Sequence, residues 1–387
     1  MKKLFITAGL LLAMIFVYGQ KKEKNNAYNF YANGYYDRAK EAIDRAILND
    51  ETKEDASVWM YRGNIYLRLA VTTDKEYKNL CKNCAETAFE AYFKALDLDP
   101  KVTVNMDINN PAVGLKYCAL ALYDDAVKLY TEAKPEEIEK YEKAHSLAEK
   151  AYKADHLNED IVYLYALTAE AVKNWDAAKK GYGTFIGKTK KIMFYVRLAN
   201  IYKSEKDTTK TLSTLKAGVP IFFGDSINVD YAVAYSIALS WAGKTEEARE
   251  IMNKALEKYP NNHILLINYG SELTNVKNYE EAEKYLKRAI ELQPNEITAI
   301  YNLGNCYYNS YVDKMNALKD VNDDDEYERL KAEYTELLKE ARPYLEKAHG
   351  IDPKDKNTLL MLKTVYARLA LYDEVKVVDE KINALGK

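Results

Sequence analysis

The chain has 387 residues, of which 48% are hydrophobic and 30% are charged, so a folded protein is predicted and a disordered chain is excluded. Fifteen glycines and eight prolines are few for this length, which disfavours collagen-like, linker-rich and turn-rich all-β proteins. The formal charge is −3, and acidic and basic residues are interspersed along the chain, so the sequence indicates no basic surface for binding nucleic acid.

The first segment, residues 1–19, is predicted to be a signal peptide. Lys2 and Lys3 precede an uncharged run, Leu4–Tyr18, which is shorter than the ~20 residues of a bilayer span and suits a signal-peptide core. Small residues at Val17 and Gly19 place the expected cleavage near Gly19, which leaves a chain of net charge −5 in the periplasm or outside the cell. An uncleaved anchor and a buried helix are the alternatives. The ending VYGQ with its Lys/Asn-rich continuation resembles exported proteins of the Bacteroidota.

A repeated pattern of small and large residues runs through the rest of the chain. Ala248, Met252, Ala255 and Pro260 recur 34 residues later, and the same spacing occurs in two further places. Steps of three and four put such residues on one face of a helix, and the proline falls where the helix has ended. The matching sets are Ala282, Leu286, Ala289, Pro294; Ala88, Tyr92, Ala95, Pro100; and Ala341, Leu345, Ala348, Pro353.

A second pattern precedes each of these helices. A small residue is followed three positions later by a large one, as in Gly270 with Leu273 and Gly304 with Tyr307. A glycine within a helix costs about 1 kcal/mol relative to alanine. Its recurrence at one position therefore indicates close contact with a neighbouring helix, and each pair of patterns predicts a helix–turn–helix unit.

Together these residues resemble the tetratricopeptide repeat, most clearly over His263–Glu296. The resemblance covers residues 20–387 and implies an all-α, right-handed α-solenoid of about nine repeats. We expect the repeats to start near residues 20, 56, 103, 159, 192, 229, 263, 297 and 356. Spacing predicts insertions in the second repeat (residues 71–84), in the third (102–142) and in the eighth (309–338, extending its second helix).

Cys81 and Cys84 form the sequence CKNC in the first insertion. A local disulfide is the favoured interpretation for an exported chain. The alternatives are inert thiols, half of a metal site, pairing with Cys118 and a redox-active thiol pair. The fourth cysteine, Cys306, is distant in sequence.

No catalytic constellation is evident, so no enzyme activity, cofactor or metal is predicted. The acidic run from Asp320 to Glu326 fails the EF-hand pattern and is interpreted as a solvated loop that caps the next helix. The four histidines form no HExxH cluster, and no GxSxG, Walker or GxGxxG motif is present.

The family resemblance implies that one side of each first helix lines a groove for protein partners. In this register the lining mixes aromatic, aliphatic and amide side chains, and the family's carboxylate clamp is not evident because Val196 and Val233 are hydrophobic. The alternative is that some of these side chains pack beneath neighbouring helices. The predicted partner-binding residues are Tyr163, Asn200, Val233, Ile237, Trp241, Ile267, Tyr301, Asn305 and Tyr308.

The sequence thus favours a non-catalytic periplasmic scaffold that binds a protein or peptide, with no nucleic acid and no evident small-molecule substrate. One alternative is a subunit of an envelope machine for outer-membrane protein assembly, secretion or polysaccharide uptake, associated with outer-membrane complexes. The other is a thiol oxidoreductase that uses Cys81 and Cys84. The partner's identity and the oligomeric state do not follow from the sequence.

Overall fold

A computed structural model describes residues 22–224 and 227–385. The predicted signal peptide lies outside the described residues. The chain divides into two compact units, Met1–Ile186 and Gly187–Lys387, and each is described by itself. Within the described residues there is no β-strand, although an isolated bridge joins Phe223 and Ile227.

The described residues of the first unit form four helical hairpins. Their helices are α1 (22–32), α2 (Tyr36–Ala46), α3 (Ala56–Val71), α4 (Cys84–Leu98), α5 (Pro111–Glu132), α6 (Ile138–Ala154), α7 (Glu159–Ala171) and α8 (Trp175–Gly183).

The described residues of the second unit continue the pattern with five hairpins, one additional short α-helix, α11, and a 3-10 helix at Leu318–Asp320. Its helices are α9 (Ile192–Ser204), α10 (Thr208–Lys216), α11 (Val219–Phe222), α12 (Val229–Trp241), α13 (Thr245–Lys258), α14 (His263–Asn275), α15 (Tyr279–Leu292), α16 (Ile297–Ala317), α17 (Asp324–Ile351), α18 (Lys356–Arg368) and α19 (Tyr372–Leu385). The predicted all-α repeat architecture is therefore confirmed.

Local sequence explains where many of the helices begin. Asn228 and Asn262 cap α12 and α14 by accepting hydrogen bonds from backbone N–H groups of the first turn, and Asp355 caps α18 in the same way. Many hairpin turns place a residue in the left-handed region two positions before the second helix. These residues are Gly34, Lys173, Lys206, Gly243, Lys277 and Ala370.

The small residues of the repeat pattern lie in the core, as predicted. Ala282, Leu286 and Ala289 are fully buried. A Cβ atom on Gly270 would stand 2.6 Å from Leu286 Cγ, and a Cβ atom on Gly304 would stand 2.7 Å from Leu345 Cγ. The glycine of the first helix thus admits the large residue of the second, which explains why the two patterns recur together.

The structure corrects two boundaries. The third repeat's first helix begins at Pro111 and not near 103, because the Asn110 side chain caps it and proline suits the first helical position. The eighth insertion lengthens both helices of its hairpin, α16 as well as α17, whereas only the second was expected to grow. Asp323 caps α17, in agreement with the interpretation of the acidic run.

Candidate functional site

A cleft of about 290 Å³ opens in the second unit among helices α9, α10, α12 and α14. Its walls are mainly apolar, and small residues on facing helices, Ala199, Ala234 and Ala238, leave the space unfilled. The lining residues are Val196, Ala199, Asn200, Lys203, Thr211, Leu215, Asp230, Val233, Ala234, Ile237, Ala238 and Ile264.

Large apolar side chains stand exposed along α12 at this cleft. Ile237 lines the cleft with 40% of its surface exposed, and Trp241, one helical turn further on, is 39% exposed. The Lys203 ammonium lies 5.7 Å from the centroid of the Trp241 ring, which is within the range of a cation–π contact. This contact places Trp241 next to Lys203, which itself lines the cleft.

Polar groups accompany the apolar surface. Asn200 is exposed on α9 and can both donate and accept hydrogen bonds. Lys203 and Asp230 place one positive and one negative side chain in the lining. A cleft with a mainly apolar surface and a few polar groups is the combination that commonly orients a bound segment.

The predicted binding residues separate into distinct places. Asn200, Val233 and Ile237 line the cleft, and Trp241 lies beside it. Ile267 is buried in the hydrophobic core of the second unit and does not line the cleft.

The remaining predicted residues do not line this cleft. Tyr301, Asn305 and Tyr308 lie partly buried on α16, where the Tyr308 ring is 6.4 Å from that of Tyr311. Tyr163 belongs to the first unit, where its ring is 5.9 Å from that of Tyr182. Their roles in binding stay predictions.

Sequence reasoning missed several lining residues. Thr211 and Leu215 come from α10, the second helix of the repeat whose sequence departs most from the pattern. Lys203, Asp230 and Ile264 lie outside the predicted lining register. Ile264 could have been identified from the sequence, because it is an aliphatic residue at the second position of α14. It is 44% exposed in the structure.

Cys81 and Cys84 are paired as a disulfide, with Cα atoms 5.6 Å apart, and Cys84 is the first residue of α4. Tyr77, in the same insertion, donates a hydrogen bond to the backbone oxygen of Gly34. Cys118 is a buried free thiol, and burial raises its pKa. Among the described residues, no three acidic, His or Cys side chains converge as metal ligands.

None of the described helices combines the length and apolar character that a membrane crossing requires.

Two family models for the tetratricopeptide repeat match the sequence. One covers residues 264–296, the hairpin α14/α15, and the other covers residues 25–71, from α1 to the end of α3. These two segments therefore match the tetratricopeptide repeat. Stacked helical repeats of this kind present extended surfaces suited to protein–protein interaction.

Comparison with solved structures gives distant similarities. MamA from Desulfovibrio magneticus RS-1 is 19% identical with a TM-score of 0.35, over 51% of this chain and 94% of MamA. MamA from AMB-1 is 18% identical with a TM-score of 0.35, over 50% of this chain and 97% of MamA. Yeast Tom70 is 13% identical with a TM-score of 0.45, over 95% of this chain and 92% of Tom70. No curated protein matches the sequence.

Proposed function

We propose that this chain is a non-catalytic scaffold that binds an envelope protein through the cleft of its second unit, at Val233, Ile237 and Trp241. The observation that carries the proposal is the unfilled apolar cleft flanked by two large exposed hydrophobic side chains. Exposed apolar surface that is contiguous and rimmed by polar groups commonly marks an interaction site.

The occupant that fits is a short segment of a partner protein with an aliphatic side chain at its centre. A volume of about 290 Å³ lies at the lower end of small-ligand pockets, so it accepts a side chain and its adjoining backbone. Burial of such a side chain contributes about 1.5–3 kcal/mol. Trp241 provides an aromatic anchor, while Asn200, Lys203 and Asp230 offer hydrogen-bonding groups to the partner's backbone.

Capture of the partner tests this proposal directly. The double variant Ile237→Ser, Trp241→Ala is expected to lose at least about tenfold in affinity, because aromatic anchors commonly carry about 2 kcal/mol and 1.4 kcal/mol is a factor of ten. The measurement is a pull-down from envelope fractions with quantitative mass spectrometry. Both side chains are exposed, so helicity and thermal stability should stay nearly unchanged.

The matched control is Ile138→Ser, Trp175→Ala, which removes an exposed isoleucine and an exposed tryptophan from the first unit. It should retain the partner. If the cleft variant unfolds, these residues serve the fold. If it folds and still captures the same protein, the binding site is elsewhere.

The proposed location is the periplasm or the cell exterior, and it is supported by the sequence of residues 1–19 alone. We expect the mature chain to start close to Gln20. Edman degradation or intact-mass analysis of the protein from the envelope fraction would measure this. An intact Met1 in that fraction would reject cleavage and leave a membrane anchor, and recovery from the cytosol would reject export.

A further inference from the structure

The segment between α3 and α4, residues 72–83, carries its own covalent link; we call it the inserted segment. It is folded by short turns, in one of which the Tyr77 N–H donates to the Asp74 backbone oxygen at 3.2 Å. Most of its side chains are exposed. It leads into the disulfide between Cys81 and Cys84, the first residue of α4. The scaffold role proposed above uses neither cysteine.

The two cysteines of this disulfide differ in accessibility. Cys84 is 7% exposed and packs in the hydrophobic core of the first unit. Cys81 is only partly buried, and it is followed by the exposed Lys82. A thiol exchanges with a disulfide by attacking one sulfur as a thiolate, and access decides which sulfur is attacked. An incoming thiolate therefore reaches Cys81 more readily than Cys84.

Cys84 lies where a negative charge is favoured. The N-terminal end of a helix carries a partial positive charge and backbone N–H groups that lack partners within the helix. The side chain of Asn83, which precedes α4, does not cap that end. The acid in the first turn, Glu86, forms an ion pair with Lys150 at 2.5 Å, so its charge is partly balanced. A thiolate on Cys84 is therefore stabilised, which makes it a good leaving group.

The inserted segment contacts the first hairpin of the unit through Tyr77. The Tyr77 hydroxyl donates to the backbone oxygen of Gly34 at 3.1 Å, in the turn between α1 and α2. The Tyr77 ring meets the Tyr36 ring edge to face, with centroids 5.2 Å apart. Tyr36 is the first residue of α2, and the Arg68 guanidinium lies 5.5 Å from its ring centroid. Tyr77 thus seats the inserted segment against the first hairpin.

The disulfide limits how far the inserted segment can move. A region with exposed side chains and few buried contacts opens at a low free-energy cost. The disulfide joins residues three positions apart and holds the Cα atoms of Cys81 and Cys84 5.6 Å from each other. When this link is broken, the chain that enters α4 gains conformational freedom. Tyr77 then leaves its contacts with Gly34 and Tyr36 more often.

We propose that Cys81–Cys84 is a thiol-exchange site that a dithiol reductant opens, and that its redox state controls whether the inserted segment stays seated on the first hairpin. A thiolate of the dithiol attacks Cys81 Sγ and forms a mixed disulfide, while the Cys81–Cys84 bond breaks and Cys84 leaves with the electron pair. The second thiol of the dithiol, as a thiolate, attacks the dithiol sulfur of the mixed disulfide and displaces Cys81. The dithiol is oxidised to a disulfide, and the two cysteines take up the two protons that it released.

Trapping of the mixed disulfide tests the direction of attack. Glutathione is a monothiol, so acid quenching and alkylation preserve the mixed disulfide that it forms with the folded protein. Trypsin cleaves after Lys82 and separates the two cysteines for mass spectrometry. Glutathione should be found on Cys81 at least about tenfold more often than on Cys84, because Cys84 is enclosed. Cys118 and Cys306 are buried free thiols, serve as internal controls and should carry no glutathione.

Hydrogen–deuterium exchange measures the release of the inserted segment. Reduction with dithiothreitol should raise the exchange rates of amides 77–83 at least about threefold, while the amides of α7 and α8 keep their rates. The double variant Cys81→Ser, Cys84→Ser should exchange like the reduced wild type, and dithiothreitol should not change it further. The reduced wild type covers the case in which the double variant fails to fold.

Tyr77→Ala separates the disulfide from the seat that it controls. This variant keeps both cysteines but lacks the contacts with Gly34 and Tyr36. Its inserted segment should therefore exchange rapidly in both redox states.

The proposal is overturned if glutathione is found mainly on Cys84, if dithiothreitol leaves the disulfide of the folded protein intact, or if reduction does not change the exchange of the inserted segment. An equal rise in exchange over the whole first unit would also contradict it, because the disulfide would then serve global stability. Neither measurement involves Ile237 or Trp241, so failure of the partner capture described above leaves this proposal unaffected.

Discussion

Ala282→Asp is expected to lower the free energy of unfolding of the second unit by at least about 2 kcal/mol. Ala282 is fully buried, and its carbonyl oxygen would lie 3.2 Å from a Cβ atom placed on Gly270. The two helices of this hairpin are therefore too close to admit a carboxylate. Burying an unpaired charge is costly, so either the side chain takes up a proton or the helices separate.

Chemical denaturation followed by far-UV circular dichroism measures the effect. Ala332→Asp is the matched control, since Ala332 is an exposed residue within α17. It should stay within about 0.5 kcal/mol of the wild type, as surface substitutions usually do. If Ala282→Asp also stays within about 0.5 kcal/mol of the wild type, the repeat register is displaced at this hairpin.

Gly63→Ala and Gly114→Ala are each expected to destabilise the first unit by about 1–3 kcal/mol. The Tyr92 ring is fully buried between these two glycines. A Cβ atom on Gly63 would lie 2.5 Å from Tyr92 Cε1, and one on Gly114 would also overlap the ring. Alanine favours a helix over glycine by about 1 kcal/mol. The rigid, enclosed Tyr92 ring cannot move aside, however, so the steric overlap outweighs this gain and each substitution destabilises the unit.

Thermal unfolding of the single and double variants tests this contact. In a Tyr92→Leu background, Gly63→Ala should cost less than in the wild type, with a coupling energy of about 0.5–3 kcal/mol. Gly183→Ala is the control, because nothing lies within 4 Å of its Cβ position at the end of α8. That substitution should be neutral or stabilising. Additive effects of Gly63→Ala and Tyr92→Leu would contradict the proposed packing.

Much of the fold could be predicted because the repeat pattern reports helix contacts directly. Glycine at position 270 and alanine at 282 are required by the approach of two backbones, so their spacing reveals the hairpin. The third repeat was misplaced because its first helix begins with a local cap, Asn110 and Pro111, after an irregular segment. The conformation of the hairpin turns could not be predicted either, because the left-handed positions at 173, 206 and 277 are occupied by lysine, a residue type that does not indicate a left-handed backbone.

The candidate site was less predictable than the fold. Ile237 and Trp241 stand out from sequence because they are large and apolar outside the core register of α12. The cleft itself could not be predicted, because it is a space between several helices and no single residue in the sequence indicates it. Asn64 is almost fully buried, and its Oδ1 has no hydrogen-bond partner within the described part of the chain. Such burial depends on neighbours from three segments, so sequence spacing could not reveal it.

Site-specific photo-crosslinking tests the proposed scaffold function most directly. With p-benzoylphenylalanine in place of Ile237, irradiation of living cells should give one dominant adduct with an envelope protein. The same replacement of the exposed Ile138 in the first unit controls for random contact. The account predicts that the adduct at position 237 is absent at position 138 and disappears with Val233→Asp, which puts a charge into the cleft. No protein adduct at position 237, or the same adducts at both positions, would contradict it.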